Sequence, residues 1–295
     1  MTALSGRSRW GLRSVALLYL AALLVVPLGM IFYRTFEHGV SQPIDAVTSS
    51  DGLHAFWLTI ICVGIAVPLN TVFGVLTALV LVRQNFRGKA LLNAAIDLPF
   101  AISPVVIGLA LFLVFAPRNS WFGGWLMDQG IQVVFSLPGL VLATIFVSLP
   151  FVVREVMPVL REIGTDQEEA AETLGATPWQ TFWKVTLPAI RWGVTYGVVL
   201  ATARALGEFG AVSVLGGSIS GSGGTQTLPI FVRHEFDNFN LAGAYGAAIV
   251  LAVLAIAVLF GMNLLQRRSR RAEGDEQDHE LPGPGVFVPQ PVKEA

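Results

Sequence analysis

Two ionisable side chains, Arg204 and Glu208, interrupt an otherwise apolar segment over 192–215. Spaced four apart, they fall on one face of a helix and can pair. A charge at the centre of a bilayer costs at least ~2.5 to 3.5 kcal/mol, so such groups turn toward a bundle interior or a water-filled path. Two readings stay open: a salt bridge that fixes the segment against its neighbours, or groups that line a pathway. Little else in the chain could do chemistry. His38, His54, His234 and His279 lie outside the apolar segments or at their edges, so no metal site or histidine-dependent hydrolase is expected within them. Cys62 stands alone in an apolar run and can build neither a disulfide framework nor a metal cluster. The glycine run "GGSISGSGGTQT" over 216–227 lacks the lysine and flanking strand of a phosphate cradle, and no GxxxxGK[ST] occurs. That run reads as a flexible loop, or as a contact surface for an external protein.

The elements that must position Arg204 and Glu208 follow from composition. With 54% hydrophobic and only 13% charged residues in 295, against roughly 25% charged in an average soluble protein, the chain is an all-α membrane protein. Its net charge of −1 and the lack of a basic surface stripe give no reason to expect a nucleic-acid partner.

Charge-free windows over 14–33, 55–82, 98–117, 129–153 and 238–266 each supply the ~20 residues that cross a bilayer as a helix. With the segment holding Arg204 and Glu208 they make six transmembrane helices, placed at about 14–35, 55–82, 92–116, 134–156, 192–215 and 241–265. The first is read as a retained helix, because its apolar run is long for a signal peptide and "YRTFEHG" offers no small-residue cleavage site. Lys and Arg orient the bundle. Placing both termini in the cytoplasm puts fifteen of the 19 basic residues inside, Arg83, Arg154 and Arg161 among them, and leaves Arg34, Arg118 and Arg233 outside. A cytoplasmic N-terminus (1–13), a membrane domain (14–266) and a disordered, acidic and then proline-rich cytoplasmic tail (267–295) complete the plan. Asp97 is expected to act as an interfacial cap, and Asn70 as interhelical glue. Pro27, Pro68, Pro104 and Pro150 inside the spans mark either kinks or static packing.

Between spans four and five lies a polar element over 165–188. Thr165 and Glu168 have the capping-box spacing, and Asp166, Glu168 and Glu169 place negative charge at the positive end of a helix. Gly175 supplies a left-handed stop. Thr177 then caps a second helix with Pro178 at its first position, and Pro188 closes that helix before span five. Ala170, Ala171 and Leu174 form a small apolar face on the first helix; Trp179, Phe182 and Trp183 lie on the second. From these residues the element is either an amphipathic helix resting on headgroups or a docking knob for a soluble partner.

Here a family resemblance adds information. Glu169-Ala170-Ala171, three residues, Gly175, nine residues, Val185, one residue and Leu187-Pro188 is similar to the EAA loop of binding-protein-dependent ABC importer permeases, with Val185 in place of the usual isoleucine. The runs "DLPFAISPVVIGLAL" (97–111), "TIFVSLPFVVREVMPV" (144–159), "ARALGEFGAVSVLGGSI" (203–219) and "FWLTIICVGIAVPLNTVFGVLTALVLVR" (56–83) resemble the W-type sulfate/thiosulfate permeases over about 53–266. Molybdate permeases share the GEFGA region but not the DLPFAISPVV run. The resemblance implies a type I ABC importer permease fold, with Glu169, Ala170, Ala171, Leu174, Gly175, Leu187 and Pro188 coupling the chain to an ATPase. It implies a heterodimer with a T-type permease subunit, two ATPase subunits that use ATP, and an extracytoplasmic sulfate-binding protein, all at a bacterial cytoplasmic membrane. The chain itself would be no enzyme and would hold no cofactor or metal. Within such a system Arg204 would face the pathway of a divalent oxyanion, and molybdate or tungstate is the alternative substrate. An ion-coupled secondary transporter is disfavoured, because no internal duplication appears.

Overall fold

The computed structural model describes residues 6–37, 39–117, 120–216 and 224–280. His38, Arg118, most of the glycine run and the proline-rich end of the tail lie outside the described residues. Every regular element described is helical: α1 (Gly6–Phe36), α2 (Ser41–Thr48), α3 (Ser50–Arg83), α4 (Lys89–Ala101), α5 (Pro104–Phe115), α6 (Gly123–Asp128) and α7 (Leu137–Glu162) are followed by α8 (Asp166–Thr173) and α9 (Pro178–Thr181). A π-turn (Phe182–Thr186) then leads into α10 (Leu187–Leu206), α11 (Gly210–Leu215), α12 (Leu228–Asp237) and α13 (Leu241–Glu280).

Among the described residues, α1, α3, α7 and α13 are long and apolar enough to cross a membrane, and α4 with α5 makes a fifth span if counted as one. The expectation of six plain windows needs two corrections. Span three is broken, with α4 and α5 meeting at 114°. Pro104 opens α5, and the residue before it, Ser103, is driven to an extended conformation (ψ 136°) that no α-helix continues through. Pro27, Pro68 and Pro150, by contrast, sit inside unbroken helices. Span five is also divided: α10 ends at Leu206 and α11 begins at Gly210. With Arg191 and Arg204 in its sequence, α10 is not among the helices apolar enough to cross alone.

Two boundaries also move. Span four starts at Leu137, because 131–136 is non-helical and the Phe135 amide donates to the Leu215 carbonyl at 2.8 Å. Helix α13 runs on to Glu280, so the first part of the expected disordered tail is helical.

Helix α7 is the centre of the bundle. It packs against α3 on one side and α10 on the other, and its apolar core, including Val152, Val153, Val156 and Leu160, is buried. Two glycines allow the close approach. A Cβ on Gly74 of α3 would lie 2.7 Å from the Val152 side chain, and one on Gly197 of α10 would lie 2.8 Å from the Val152 Cα. Small residues at a membrane helix interface gain van der Waals contact that lipid cannot replace. As expected of interhelical glue, the Asn70 amide donates to Ser148 Oγ at 2.8 Å and to the Ile145 carbonyl at 3.2 Å, joining α3 to α7. Apolar side chains cover the outside, and no residue in the apolar window of α1 is buried in the isolated chain, although Thr35 near its end is.

Candidate functional site

The polar element between α7 and α10 folds as a helix, a turn and a second helix. Gly175 adopts φ +83°, the left-handed region. Its amide donates to the Glu172 carbonyl at 2.9 Å and the Ala176 amide donates to Ala171 at 3.0 Å. This pair of bonds is a Schellman stop, which satisfies carbonyls that the end of α8 would otherwise leave open. The second helix starts as expected: Thr177 Oγ1 accepts from the Gln180 amide, and the Gln180 side chain accepts from the Thr177 amide at 2.9 Å, closing a capping box with Pro178 next in line.

Two local expectations fail. Thr165 and Glu168 form no capping box; the Thr165 hydroxyl donates instead to Glu169 at 2.7 Å. Glu168 turns inward, where it accepts from Thr186 Oγ1 at 2.8 Å and lies 3.0 Å from Arg83 Nε. A reciprocal cap on a solvated helix end is worth about 1 kcal/mol, whereas a partly buried carboxylate with a guanidinium and a hydroxyl in reach gains two charge-assisted contacts. Nor does Pro188 close the second helix. The chain widens into the π-turn, with the Leu187 amide bonded to the Phe182 carbonyl five residues back, and continues directly as α10. That wider turn precedes the proline whose ring and missing amide a regular α-turn would not accommodate.

The motif residues converge. Ala170, Ala171 and Leu174 of α8 face Lys184, Val185 and Pro188 across a groove of about 790 Å³. Leu174 is 89% exposed and Trp179 69% exposed, with Trp183 packed edge to face against both Trp179 and Phe182. Glu169 is exposed on α8, while Leu187 packs into the core that holds Val156 and Leu160. Exposed apolar side chains gathered around a concavity mark a surface that contacts either another protein or the membrane.

Arg204 and Glu208 do pair, at 2.8 Å, and the Glu208 side chain is only 1% exposed against 29% for Arg204. Glu208 also accepts from the Ala211 amide at 2.9 Å, which pins the start of α11. The pair therefore holds the α10–α11 break. That break faces the other one: a Cβ on Gly210 would lie 2.8 Å from the Pro104 side chain, and one on Gly108 would lie 2.7 Å from the Ala211 carbonyl. The two broken spans pack on each other at their breaks.

Asp97 is not a cap, because Gly88 occupies the N-cap of α4. It holds Arg154 of α7 through two contacts, at 2.8 and 2.5 Å, and Arg154 also donates to the Asn93 side chain at 3.0 Å. A guanidinium fork matches two carboxylate oxygens at once, a gain larger than a single cap bond.

The site thus joins a bundle with two broken helices to an exposed apolar element on the connection between α7 and α10. Residues 70–271 match the family of the binding-protein-dependent transport system inner membrane component. The chain belongs to that family, and it is a multi-pass membrane protein. It is 52% identical to the sulfate transport system permease protein CysW of Synechocystis sp. over 256 residues, covering 87% of this chain and 92% of that protein. It is 46% identical to the protein of the same name in Escherichia coli K12, with 92% of each chain covered. Identity to the Escherichia coli K12 sulfate transport system permease protein CysT is lower, 39% over 88% of this chain and 93% of that one. The fold is that of a bacterial ABC transporter involved in the import of the acidic polysaccharide alginate, with TM-score 0.74 and 18% identity over 88% of this chain and 96% of that chain.

Proposed function

We propose that the chain is the W-type permease subunit of an ATP-driven importer that carries sulfate and thiosulfate across a bacterial cytoplasmic membrane, with both termini in the cytoplasm. The observation that carries the reading is the near-half identity, along almost the whole chain, to permeases named for sulfate transport. Molybdate and tungstate are not favoured. The T-type partner is supported by the weaker likeness to CysT, as expected of two paired, related subunits. An extracytoplasmic sulfate-binding protein is supported by the alginate importer, which has been crystallised with its substrate-bound periplasmic protein.

Two ATPase subunits hydrolyse ATP and dock on this chain and its partner through Glu169, Ala170, Ala171, Leu174, Gly175, Leu187 and Pro188. The support is the groove beside α8 and its exposed Leu174 and Trp179. Arg204 lowers the barrier for a divalent oxyanion at the α10–α11 break, and buried Glu208 restrains it from holding the anion too tightly. The support is a cation held at 2.8 Å by a buried carboxylate that is itself anchored to the backbone. The chain carries substrate and supplies no catalytic group, cofactor or metal.

The test is uptake of radiolabelled sulfate in cells lacking this gene, with and without its restoration, with thiosulfate and molybdate as competitors. Restoration recovers sulfate uptake, and excess thiosulfate blocks it while molybdate hardly does. Sulfate uptake indifferent to the gene, with molybdate uptake dependent on it, overturns the substrate and leaves the importer architecture standing.

A further inference from the structure

Four elements meet at one side chain. Arg83, the last residue of α3, donates to the Leu160 carbonyl at 3.1 Å and to the Gly164 carbonyl at 2.6 Å, the open end of α7. The same guanidinium reaches Glu168 of α8, at 3.0 Å through Nε and 3.2 Å through its second terminal nitrogen. Glu168 in turn accepts from Thr186 in the π-turn. The pair is mostly sheltered, with side chains 17% and 19% exposed. A cation placed on helix C-terminal carbonyls and paired with a carboxylate is favourably held.

We infer that Arg83 is a positioning residue for coupling: it locks α8 and the π-turn to the ends of α3 and α7, so that a stroke received at the coupling element moves α3 as well as α10. The alternative output, α10 alone, would need α8 free to shift against α3. Both contacts between Arg83 and Glu168 would then have to break, separating a mostly sheltered carboxylate from its cation, which is costly. The inference rests on the ATPase-docking reading of the previous subsection.

The test uses the whole complex, with partner permease, ATPase subunits and binding protein, in proteoliposomes, and reads sulfate imported per ATP hydrolysed. Arg83→Gln is expected to lower that ratio about tenfold, the scale of one lost charge-assisted network, while the ATPase still co-purifies. Thr186→Val, which removes one hydrogen bond and carries no risk of burying a charge, is expected to lower the ratio by roughly twofold to fivefold. Arg83→Lys keeps the charge but cannot span both carbonyls and the carboxylate, so it rescues only in part. Spin labels at the exposed positions Gln84 and Glu172 report the latch directly. Their separation is expected to stay constant between nucleotide-free and ATP-bound states in the parent complex and to change between those states in the Arg83→Gln complex. A ratio unchanged in both Arg83→Gln and Thr186→Val, or a separation that already changes in the parent, overturns the inference. Ala171→Glu separates the two levels: if a charge in the groove leaves ATPase co-purification intact, the docking reading itself fails, whatever Arg83 does.

Discussion

Replacing Gly175 by valine isolates the shape of the coupling knob from its chemistry. A Cβ built at this position meets nothing within 4 Å, so steric crowding contributes no penalty, and the whole cost comes from φ +83°. For an ordinary L residue the left-handed conformation costs about 1 to 2 kcal/mol, with a β-branched residue at the upper end. About 2 kcal/mol is roughly a thirtyfold loss in the population of the native turn. Alanine should cost about half as much free energy, and asparagine, which visits this region readily, little. The turn lies on the surface, so none of the three variants removes core contacts. The expected series in reconstituted complexes is therefore asparagine close to glycine, alanine several-fold impaired and valine worst, in sulfate imported per ATP hydrolysed, with equal amounts of assembled complex. Valine as active as asparagine would refute the reasoning, because it would mean that the left-handed stop is dispensable to the docked state.

Arg204→Gln alone strands buried Glu208 and should destabilise by about 3 to 5 kcal/mol, whereas the Arg204→Gln, Glu208→Gln pair should assemble yet lose sulfate uptake; assembly is read by gel filtration and uptake by radiolabel. Gly197→Leu forces the α10 backbone away from Val152 and should cost about 1 to 3 kcal/mol or more through overpacking, seen as a lowered Tm of the solubilised complex. Thr177→Ala removes the capping box of α9 at about 0.5 to 2 kcal/mol and should loosen that helix in hydrogen exchange while leaving the α3–α7 core protected.

The long helices were legible because hydrophobicity alone specifies them. Helices α3, α7 and α13 lie where uncharged windows of sufficient length predict them, and Gly175, Thr177 and Pro178 behave as their local chemistry dictates. The failures are all cases in which a distant or inherited partner overrides a local pattern. Glu168 has the spacing of a cap, but its cation lies 85 residues away in Arg83. Asp97 looks like a helix-end acid, yet its partner Arg154 is 57 residues on. Pro104 opens a new helix after an extended Ser103 while Pro68 and Pro150 sit inside unbroken helices, and Gly210 of the neighbouring break packs against Pro104. The segment over 267–280 cannot bury a core of its own, but it extends a helix already nucleated by the apolar part of α13, where adding each residue no longer carries the nucleation cost.

The failed expectation at Pro188 has the widest consequence. Had the proline closed the second short helix, a flexible joint would separate the knob from the bundle, and motion of the knob would dissipate there. Instead the helical path from Pro178 to Leu206 is continuous through the π-turn. At 1.5 Å per residue it spans roughly 40 Å, with the groove beside α8 at one end and the Arg204–Glu208 break at the other. Near its middle Gly193 sits so close to α7 that a Cβ would lie 2.9 Å from the Glu155 carbonyl. A Cβ on Gly197, four residues on, would lie 2.8 Å from the Val152 Cα, so α10 and α7 are in close contact over this whole stretch. A stroke received at the groove end would therefore reach the charged break along one helical path, and there the Glu208 bond to the Ala211 amide ties α11 to the end of α10.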